Sequence, residues 1–308
     1  MAQSTPILRI GTRGSPLALV QARTVRARLS AALGVPEDEI ELVIIRTSGD
    51  AIQDRPLADV GGKGLFTKEI EEALLDGRID LAVHSAKDMP TFSQPGLMLT
   101  ACLEREDPRD VFISHKGKSF ADLPQGALLG TASLRRQAIA KRMRPDLRVA
   151  ALRGNVETRI RKLADGEVDA TILALAGLNR LGLTQHVTKI MSAEEFLPAV
   201  AQGAIGIEAR EKDERTRGHL ARINHADTFT AIACERAFLA ELDGSCKTPI
   251  AGHASLAGEA LQFRGLIARP DGKAAHDIAG TGKRSDAIKI GSEAGRELKH
   301  LAGPGFFD

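Results

Sequence analysis

The chain of 308 residues is 43% apolar and 27% charged with a net charge of +2, as expected for a soluble globular protein. It contains no run of about eighteen apolar residues, so we predict no membrane span, and its N-terminus lacks the pattern of a signal peptide. A chain of this length exceeds what one hydrophobic core usually serves, and we therefore expect two or three domains.

Cysteines and histidines limit the site chemistry. The cysteines at positions 102, 234 and 246 form no CxxC motif, which argues against a disulfide framework or a zinc knuckle and favours a cytoplasmic location. The eight histidines are scattered without an HExxH motif, so we expect no metal site.

The charge is unevenly spread along the chain. Residues 131–162 contain ten Lys/Arg and two Asp/Glu, a local charge of +8, and the remaining residues carry −6. Such a basic block indicates either a solvated helical face or an anionic ligand. Nucleic acid is one candidate, but the absence of Trp and Tyr removes the usual base-stacking side chains. Small polyanions are the favoured interpretation.

Strand and helix patterns alternate in the first third of the chain. We predict strands at residues 7–10, 41–47 and 80–84. Ser15 followed by Pro16 predicts a helix start, because Ser caps a helix and Pro fits its first turn. The predicted inner face of that helix is Leu17, Val20, Thr24 and Ala27. A second helix is predicted to open at GGKG (61–64), with an inner face of Phe66, Ile70, Ala73 and Leu74. The alternation predicts an α/β domain with a largely parallel sheet.

The same alternation recurs over about residues 105–195. Predicted strands are 127–130, 147–152 and 169–174, and predicted helices are LRRQAIAKRM (134–143), 156–163 and a short helix around Leu178. The strand-like segment GAIGIEAR after Gln202 is a candidate to return to the first unit.

The last quarter of the chain has a different pattern. A predicted helix at 228–242 precedes alternating strands at 250–256 and 261–268, a turn at 270–272 and a final helix at about 285–301. This order predicts a small α+β domain of antiparallel strands with helices.

Four loops at predicted strand ends carry polar or basic side chains. They are TRGS (12–15), HSAKD (84–88), TASLRR (131–136) and RGNVETR (153–159). Open α/β sheets bind ligands outside the carboxyl ends of their strands, and helix N-termini there favour carboxylates. Ser15, Thr131 and Ser133 would add hydroxyl donors. Forked donors would come from Arg13, Arg135, Arg136 and Arg153.

Helical geometry separates two neighbouring arginines. With Val156 at 0°, Arg159 falls at about 300°, beside the apolar stripe, and Arg161 falls near 140°, on the far side. We expect Arg159 to point along the surface into a cleft and Arg161 to be solvated.

Two further polar residues allow more than one interpretation. Lys63 resembles a phosphate-loop lysine, but Leu57 and Gly64 stand where that loop requires Gly and Ser or Thr, so nucleotide binding is disfavoured. Asp88 follows a buried strand beside Lys87. It is either a turn or cap residue, or a general acid/base that faces a developing cation.

The three cysteines differ in their surroundings. Cys102 and Cys234 lie among apolar residues and are predicted core residues. Cys246 lies in the polar loop LDGSCKTPI beside Lys247, a setting that favours the thiolate. A reactive thiol and an incidental one both remain open, and His253 is the base that could lie near it in space.

Seven motifs occur in order across residues 11–249: GTRGSPLAL, GGKGLF, HSAKD, GTASLRR, RGNVETR, LAGLNRLG and DGSCKTP. Together they resemble the porphobilinogen deaminase (hydroxymethylbilane synthase) family. The resemblance implies a transferase of tetrapyrrole and haem biosynthesis. It would join four porphobilinogen units head to tail, with loss of ammonia, onto a covalent dipyrromethane cofactor, and then release hydroxymethylbilane by hydrolysis.

The resemblance also implies roles for individual residues. The catalytic residue would be Asp88, and a thioether would attach the dipyrromethane to Cys246. Implied cofactor-binding residues are Ser15, Lys63, Ser85, Lys87, Thr131, Ser133, Arg135, Arg136 and Arg159. Implied substrate-binding residues are Arg13, Phe66, Arg153, Arg159 and Arg180. Asp59 departs from the pattern, because some members carry a second lysine there, and this puts one auxiliary cationic contact in doubt.

The implied fold is α/β, with two periplasmic-binding-protein-like α/β domains plus a small C-terminal α+β domain. The expected boundaries are 1–103 with 198–222, 104–197, and 223–308. We expect a cytoplasmic monomer that takes porphobilinogen as its small-molecule partner and binds neither nucleic acid nor membrane. The alternative is a non-catalytic small-anion-binding protein with a two-domain α/β cleft, against which Asp88 and Cys246 argue.

Overall fold

The computed structural model describes residues 6–51, 67–244 and 248–306. Its strands are β1 (Leu8–Thr12), β2 (Ile40–Ile44), β3 (Leu81–Ser85), β4 (Leu97–Cys102), β5 (Asp110–Ser114), β6 (Leu128–Gly130), β7 (Arg148–Ala150), β8 (Ala170–Ala174), β9 (Lys189–Ile190), β10 (Ile205–Arg210), β11 (Ile250–Ala257), β12 (Ala260–Ala268) and β13 (Ala275–Lys283). Its α-helices are α1 (Pro16–Leu33), α2 (Ser48–Ala51), α3 (Lys68–Leu75), α4 (Leu134–Met143), α5 (Val156–Ala164), α6 (Leu175–Leu181), α7 (Glu214–Ala221), α8 (Ala226–Glu241) and α9 (Ala287–Ala302).

The described chain divides into two compact units. Unit 1 holds the residues up to Arg105 together with Ala204–Phe229, and unit 2 holds Glu106–Gly203 together with the residues from Thr230 onward. Two five-stranded α/β sheets and a three-stranded C-terminal sheet with helices confirm the predicted fold class. The three-domain boundaries stay a prediction.

The sheet of unit 1 has the strand order β2-β1-β3-β10-β4. Strand β1 pairs in parallel with β2 and β3, whereas β10 pairs antiparallel with β3 and β4. The predicted return of GAIGIEAR to the first unit is therefore confirmed. The prediction of a largely parallel sheet is also confirmed, because four of the five strands run in one direction and β10 alone runs against them.

The first sheet of unit 2 repeats this arrangement. Its order is β7-β6-β8-β5-β9, with β6 parallel to β7 and β8, and with β5 antiparallel to β8 and β9. Strand β5 thus occupies the position that β10 has in unit 1. In both sheets the loops that leave the central parallel strands lie at one edge, where ligands of such sheets bind.

Helix α1 begins as predicted but buries a different face. Ser15 caps it and Pro16 occupies its first turn, while its buried residues are Gln21, Ala22, Val25 and Leu29. The predicted inner face is wrong, because Thr24 and Ala27 are exposed. Apolar side chains occur around much of this helix, so packing against β1 and β3, rather than periodicity, decides which face is buried.

The C-terminal part contains a strand that the sequence pattern did not indicate. Strand β13 pairs with β12 over nine residues at the edge of the sheet β11-β12-β13. Its Gly280 and Gly282 lie against α9, where a Cβ on either would come within 3.0 Å or less of Ile290 side-chain atoms. These small residues allow the helix to approach, and they also remove the apolar alternation by which strands are predicted.

Helices α8 and α9 are closely packed around a buried cysteine. A Cβ at Gly291 of α9 would overlap the carbonyl oxygen of Cys234 on α8. Burial, with a smaller effect from the charge of Glu235, raises the pKa of the Cys234 thiol to about 12. Cys102 is likewise fully buried, at the end of β4. Both residues are core residues, as predicted.

A buried carboxylate joins α8 to two other segments of unit 2. The Glu235 oxygens accept hydrogen bonds from the backbone N–H of Ala201, at 2.6 Å, and of Ala254 in β11, at 2.8 Å. Ala201 has a φ of 60°, a conformation that a residue other than Gly adopts only when its surroundings enforce it. Glu235 is therefore a structural residue that fixes the turn before Gly203.

We predict that Glu235→Gln lowers the free energy of unfolding by about 2–4 kcal/mol, because an amide nitrogen would face one of two backbone donors inside the protein. Urea unfolding of the purified variant measures this. Glu297→Gln, an exposed substitution on α9, is the control and should change the stability by less than about 0.5 kcal/mol. Equal stabilities for the two variants would contradict the assignment.

Candidate active site

A pocket in unit 1 gathers several of the residues predicted for the site. It lies where β1 and β3 end, and its polar lining is Arg13, Ser15, Gln21, Thr67, His84, Ser85 and Asp88. The carboxyl ends of two adjacent parallel strands therefore place one cation, several hydroxyl groups and one acid around a common space.

The loop after β1 presents the start of α1 to this pocket. The Ser15 hydroxyl oxygen accepts a hydrogen bond from the Ala18 N–H at 3.4 Å, and the Ser15 carbonyl accepts one from the Leu19 N–H at 3.0 Å. Pro16 has no N–H, so Leu17 contributes the one N–H of the first turn that has no helical partner in the described structure. A helix N-terminus carries a partial positive charge, and the half-buried Arg13 adds a full one. This corner of the pocket therefore suits a carboxylate group.

Asp88 ends a short 3-10 turn, Ala86–Asp88, that directly follows β3. The Ala86 N–H donates to the Ala204 carbonyl at 3.0 Å, which fixes the turn to the segment before β10. Within the described ranges the Asp88 side chain forms neither a hydrogen bond nor an ion pair. It is half-buried, and Lys87 beside it is half-buried as well. Asp88 is thus a residue of a turn, as one of the two interpretations from the sequence expected, and its catalytic role stays a prediction.

Gln21 is a site residue that the sequence reasoning missed. Its Nε2 donates a hydrogen bond to Ser85 Oγ at 2.9 Å, and Gln21 itself is 2% exposed. The bond fixes Ser85 in the loop that also carries Asp88. The sequence feature that could have identified Gln21 is its spacing. It lies four and eight residues before Val25 and Leu29, so a helix places all three on the same buried face.

In unit 2, the loop after β6 carries Thr131 and Ser133. Ser133 caps α4, since its hydroxyl oxygen accepts a hydrogen bond from the Arg136 N–H at 3.4 Å. Thr131 is buried, and its Oγ1 accepts a hydrogen bond from the Ser133 N–H at 3.1 Å. Ser133 is half-buried, whereas Thr131 is buried.

Arg135 and Arg136 are buried at the start of α4, at 4% and 5% exposure. Arg135 Nη2 lies 2.7 Å from Asp110 Oδ2, and Arg136 binds Asp110 Oδ1 through Nε at 3.1 Å and Nη2 at 2.7 Å. Their remaining contacts are to main-chain carbonyls: Arg135 Nη1 donates to Leu197 at 2.7 Å and Arg136 Nη1 donates to Ile172 at 2.9 Å. The structure therefore engages both guanidinium groups internally, and their cofactor-binding role stays a prediction.

Asp110 is the second residue that the sequence reasoning missed. Burial alone would raise the pKa of this fully buried acid, but the charges of Arg135 and Arg136 outweigh burial and hold it below its ordinary value. Gln202 Nε2 donates to the same Asp110 Oδ1 at 3.1 Å and to the Pro108 carbonyl at 2.7 Å. The sequence feature that could have identified Asp110 is an acidic residue at the start of an otherwise largely apolar strand, DVFIS.

The loop after β7 requires a glycine. Gly154 has a φ of +113°, and a Cβ there would meet Thr158 side-chain atoms at 2.6 and 2.8 Å. Asn155 then caps α5 by accepting a hydrogen bond from the Thr158 N–H at 2.8 Å, and Arg159 Nε donates to the Gly154 carbonyl at 2.8 Å. Arg153 and Arg159 are half-buried.

Arg161 and Arg180 have different surroundings. Arg161 is exposed, as predicted. Arg180 Nη2 donates to the Gly203 carbonyl at 2.6 Å, and desolvation lowers the pKa of its guanidinium from the ordinary value. Arg180 therefore holds the turn that follows Gln202, and a substrate-binding role for it stays a prediction.

The candidate residues Lys63, Phe66 and Cys246, and Asp59 where some family members carry a lysine, lie outside the described residues. Across residues 6–51, 67–244 and 248–306, no group of three or more His, Cys, Asp or Glu side chains has the geometry of a metal site. In those same ranges, no helix is both long and apolar enough to cross a membrane.

Comparison with known proteins identifies the family. The model described as "Porphobilinogen deaminase, dipyromethane cofactor binding domain" matches residues 8–218, and "Porphobilinogen deaminase, C-terminal domain" matches residues 229–300. Among solved structures, a periplasmic substrate-binding protein of an ABC transporter from Coxiella burnetii is similar at 14% identity and a TM-score of 0.44, over 75% of this chain and 97% of that one. Because the TM-score is low, this similarity supports no conclusion about the ligand or the activity of this chain.

Similarity to curated proteins is much higher. The chain is 58% identical over 298 residues to the porphobilinogen deaminase of Nitrobacter hamburgensis and 59% identical over 298 residues to that of Nitrobacter winogradskyi, in each case across 97% of this chain and 94% of the relative. Because two family models and these relatives together span nearly the whole sequence, the chain belongs to the porphobilinogen deaminase family.

Proposed function

We propose that this chain is a hydroxymethylbilane synthase, a transferase that joins four porphobilinogen units head to tail with loss of ammonia and then releases hydroxymethylbilane by hydrolysis. The first family model names the dipyrromethane cofactor, and we assign its attachment to Cys246 through a thioether. When bound, this group supplies the pyrrole carbon to which the first substrate unit is joined.

The donors present fit a group that carries carboxylate arms. The pocket of unit 1 combines Arg13, Ser15 and the N-terminus of α1 in one corner, and each of these favours an anion. The other proposed cofactor-binding residues, which extend this set, are Lys63, Ser85, Lys87, Thr131, Ser133, Arg135, Arg136 and Arg159.

The growing product is a polyanion, because every porphobilinogen unit brings an acetate and a propionate. Several cations are therefore required, and we propose Arg13, Arg153, Arg159 and Arg180 for the substrate side chains, with Phe66 as an apolar contact. The two positive charges of Arg135 and Arg136 are only partly neutralised by the one negative charge of Asp110. The remaining positive charge lies in the first turn of α4, next to the loop that carries Ser133. We propose that they act through this charge and by fixing the start of α4.

Asp88 is the proposed catalytic residue. A half-buried carboxylate without a partner in the described part of the chain can stabilise the positive charge that develops on the substrate as ammonia leaves. The same oxygen atoms can then accept the proton from the pyrrole carbon that forms the new bond. The proposal rests on this unpartnered acid in a pocket that also contains Arg13 and the N-terminus of α1.

A non-catalytic anion-binding protein is the alternative function. Such a protein gains no affinity from a carboxylate that faces its ligand, because like charges repel. Asp88 therefore favours the transferase. We further propose a cytoplasmic monomer that takes porphobilinogen as substrate and uses neither nucleic acid nor a membrane.

We predict that the intact mass of the active protein exceeds the sequence mass by one dipyrromethane group, and that Cys246→Ala removes both this increment and the activity. Mass spectrometry of the whole protein and of its peptides measures this. Cys102→Ala, which alters a buried core residue, should retain the increment. A fully active protein of unmodified mass would refute the assignment.

We predict that Asp88→Asn lowers kcat by about a hundredfold or more and leaves the circular dichroism spectrum unchanged, because the amide keeps the shape but can neither accept the proton nor balance the cation. The assay follows tetrapyrrole formation by protein whose Cys246 adduct has been verified by mass. Asp38→Asn, at an exposed position, is the control. A rate within about twofold of the wild type would exclude Asp88 as the catalytic group.

We predict that Arg159→Ala slows cofactor loading or chain elongation by about tenfold or more, since a charge-assisted hydrogen bond to a carboxylate is lost. Arg161→Ala is the matched control, because Arg161 lies two positions away on the same helix and is exposed. The two variants are compared by mass spectrometry of enzyme–substrate intermediates. Similar progress curves for both would count against the proposed role.

A further inference from the structure

A tight turn of the main chain ends helix α8 shortly before Cys246. The Gly244 N–H donates a hydrogen bond to the Leu239 carbonyl at 3.1 Å. The Asp243 N–H donates one to the Ala240 carbonyl at 3.2 Å. This pair of bonds is the Schellman motif, which ends a helix with one residue in the left-handed conformation. That residue is Asp243, with a φ of 51°.

An aspartate is not the usual residue at this position. Glycine is common there, because it adopts the left-handed conformation without a steric cost, whereas Asp adopts it with some cost. The Asp243 carboxylate makes a contact that glycine could not make, since Lys299 Nζ of α9 lies 2.7 Å from Asp243 Oδ2. Both side chains are more than half exposed, so this ion pair adds little to the stability of the whole protein. Its effect is local, and it restrains the turn.

Helix α9 presents Lys299 from a closely packed face. Gly291, Gly295 and Lys299 are spaced four residues apart, which places them on one side of the helix. A Cβ on Gly291 would overlap the carbonyl oxygen of Cys234 in α8. A Cβ on Gly295 would lie 2.8 Å from the carbonyl oxygen of Phe238, one turn further along α8. The two main chains are therefore in direct contact, and this packing fixes the position of Lys299 beside the turn.

The segment after Cys246 is fixed as well. Ile250 begins strand β11, and the Pro249 carbonyl accepts a hydrogen bond from the Ala268 N–H of β12 at 3.0 Å. A Cβ on Gly244 would lie 2.7 Å from Ile250 Cδ1, so the residues before and after the loop are neighbours in space. Both ends of the connection that carries Cys246 are thus anchored to the same part of the C-terminal sheet and its helices.

We propose that Asp243 and Lys299 are positioning residues, whose contact holds the turn that directs the chain towards Cys246 for attachment of the dipyrromethane. This inference rests on the function proposed above. In the attachment the thiol sulfur bonds to the aminomethyl carbon of porphobilinogen, the C–N bond breaks, and the nitrogen leaves as ammonia with the thiol proton. The second unit joins the free α-carbon of the first ring, and its ammonia carries away the proton of that carbon. A thiol held in one place reacts faster than one that samples many positions.

The role of Lys299 is tested by the rate of cofactor loading. Full-length protein is produced in cells without porphobilinogen, and its intact mass is followed after porphobilinogen is added. In Lys299→Met we expect the mass increment to appear about threefold or more slowly than in the wild type. The urea midpoint should stay within about 0.3 M, because an exposed ion pair contributes little to stability.

Lys289→Met is the matched control for Lys299→Met. Lys289 also lies on α9, is exposed, and lies 3.9 Å from Glu293 of its own helix. Its substitution should leave the loading rate unchanged. Equal loading rates in the two lysine variants would overturn the role of Lys299.

The role of the turn is tested at Asp243. Asp243→Asn retains a residue that tolerates the left-handed conformation and an oxygen that can accept a hydrogen bond from Lys299, so its loading rate should stay within about twofold of the wild type. Asp243→Val disfavours that conformation, and its loading should be about tenfold or more slower. Equal loading rates for the two variants would overturn the role of the turn.

Amide hydrogen exchange gives a readout that involves neither the cofactor nor activity. The Asp243 and Gly244 amides are hydrogen-bonded in the turn, so in Lys299→Met they should exchange at least about fivefold faster than in the wild type. Unchanged exchange at both amides would overturn the restraint by Lys299. A wild-type protein that gains no mass from porphobilinogen would refute the proposed function instead, and the exchange rates would still decide whether Lys299 holds the turn.

Discussion

The carboxylate of Asp110 organises unit 2. It is fully buried and holds the guanidinium groups of Arg135 and Arg136 together with the amide of Gln202. Each guanidinium would be strongly destabilising in this position without the acid, because an unpaired buried charge has no compensation. One side chain at the start of β5 thus fixes the start of α4 and the turn that leads into β10. The loop of Thr131 and Ser133 takes its shape from that arrangement.

The two acids Asp110 and Asp88 illustrate how neighbours determine the use of a carboxylate. Asp110 is surrounded by cations and remains ionised as a structural element. Asp88 follows β3 in unit 1, and no described residue forms a hydrogen bond or an ion pair with it. A carboxylate left without a partner can respond to a charge that appears during a reaction, whereas one already bound between two arginines cannot. The same side-chain chemistry therefore serves folding in one unit and, in the function that we propose, catalysis in the other.

Local signals in the sequence predicted much of this molecule. The cap at Ser15, the helix LRRQAIAKRM and the strand character of GAIGIEAR follow from capping chemistry and apolar patterning. The return of that strand to the first unit was implied by the family resemblance. The buried face of α1 and the strand β13 did not follow, because packing partners far along the chain determine both. For the same reason Arg135 and Arg136, taken from the sequence as ligand donors, proved to be buried against Asp110. The roles proposed for Cys246, Lys63 and Phe66 rest on the sequence motifs alone.

Burial of Cys102 and Cys234 has a consequence for the durability of the enzyme. An enzyme that produces a carbon electrophile exposes its own nucleophiles to alkylation. A thiolate is the reactive form of cysteine, and the raised pKa keeps the Cys234 sulfur protonated as well as shielded. The absence of a side chain at Gly291 lets α9 pack directly against the main chain of α8 at Cys234. The packing of α8 and α9 thus keeps this thiol buried and protonated, out of reach of any electrophile that the proposed reaction generates.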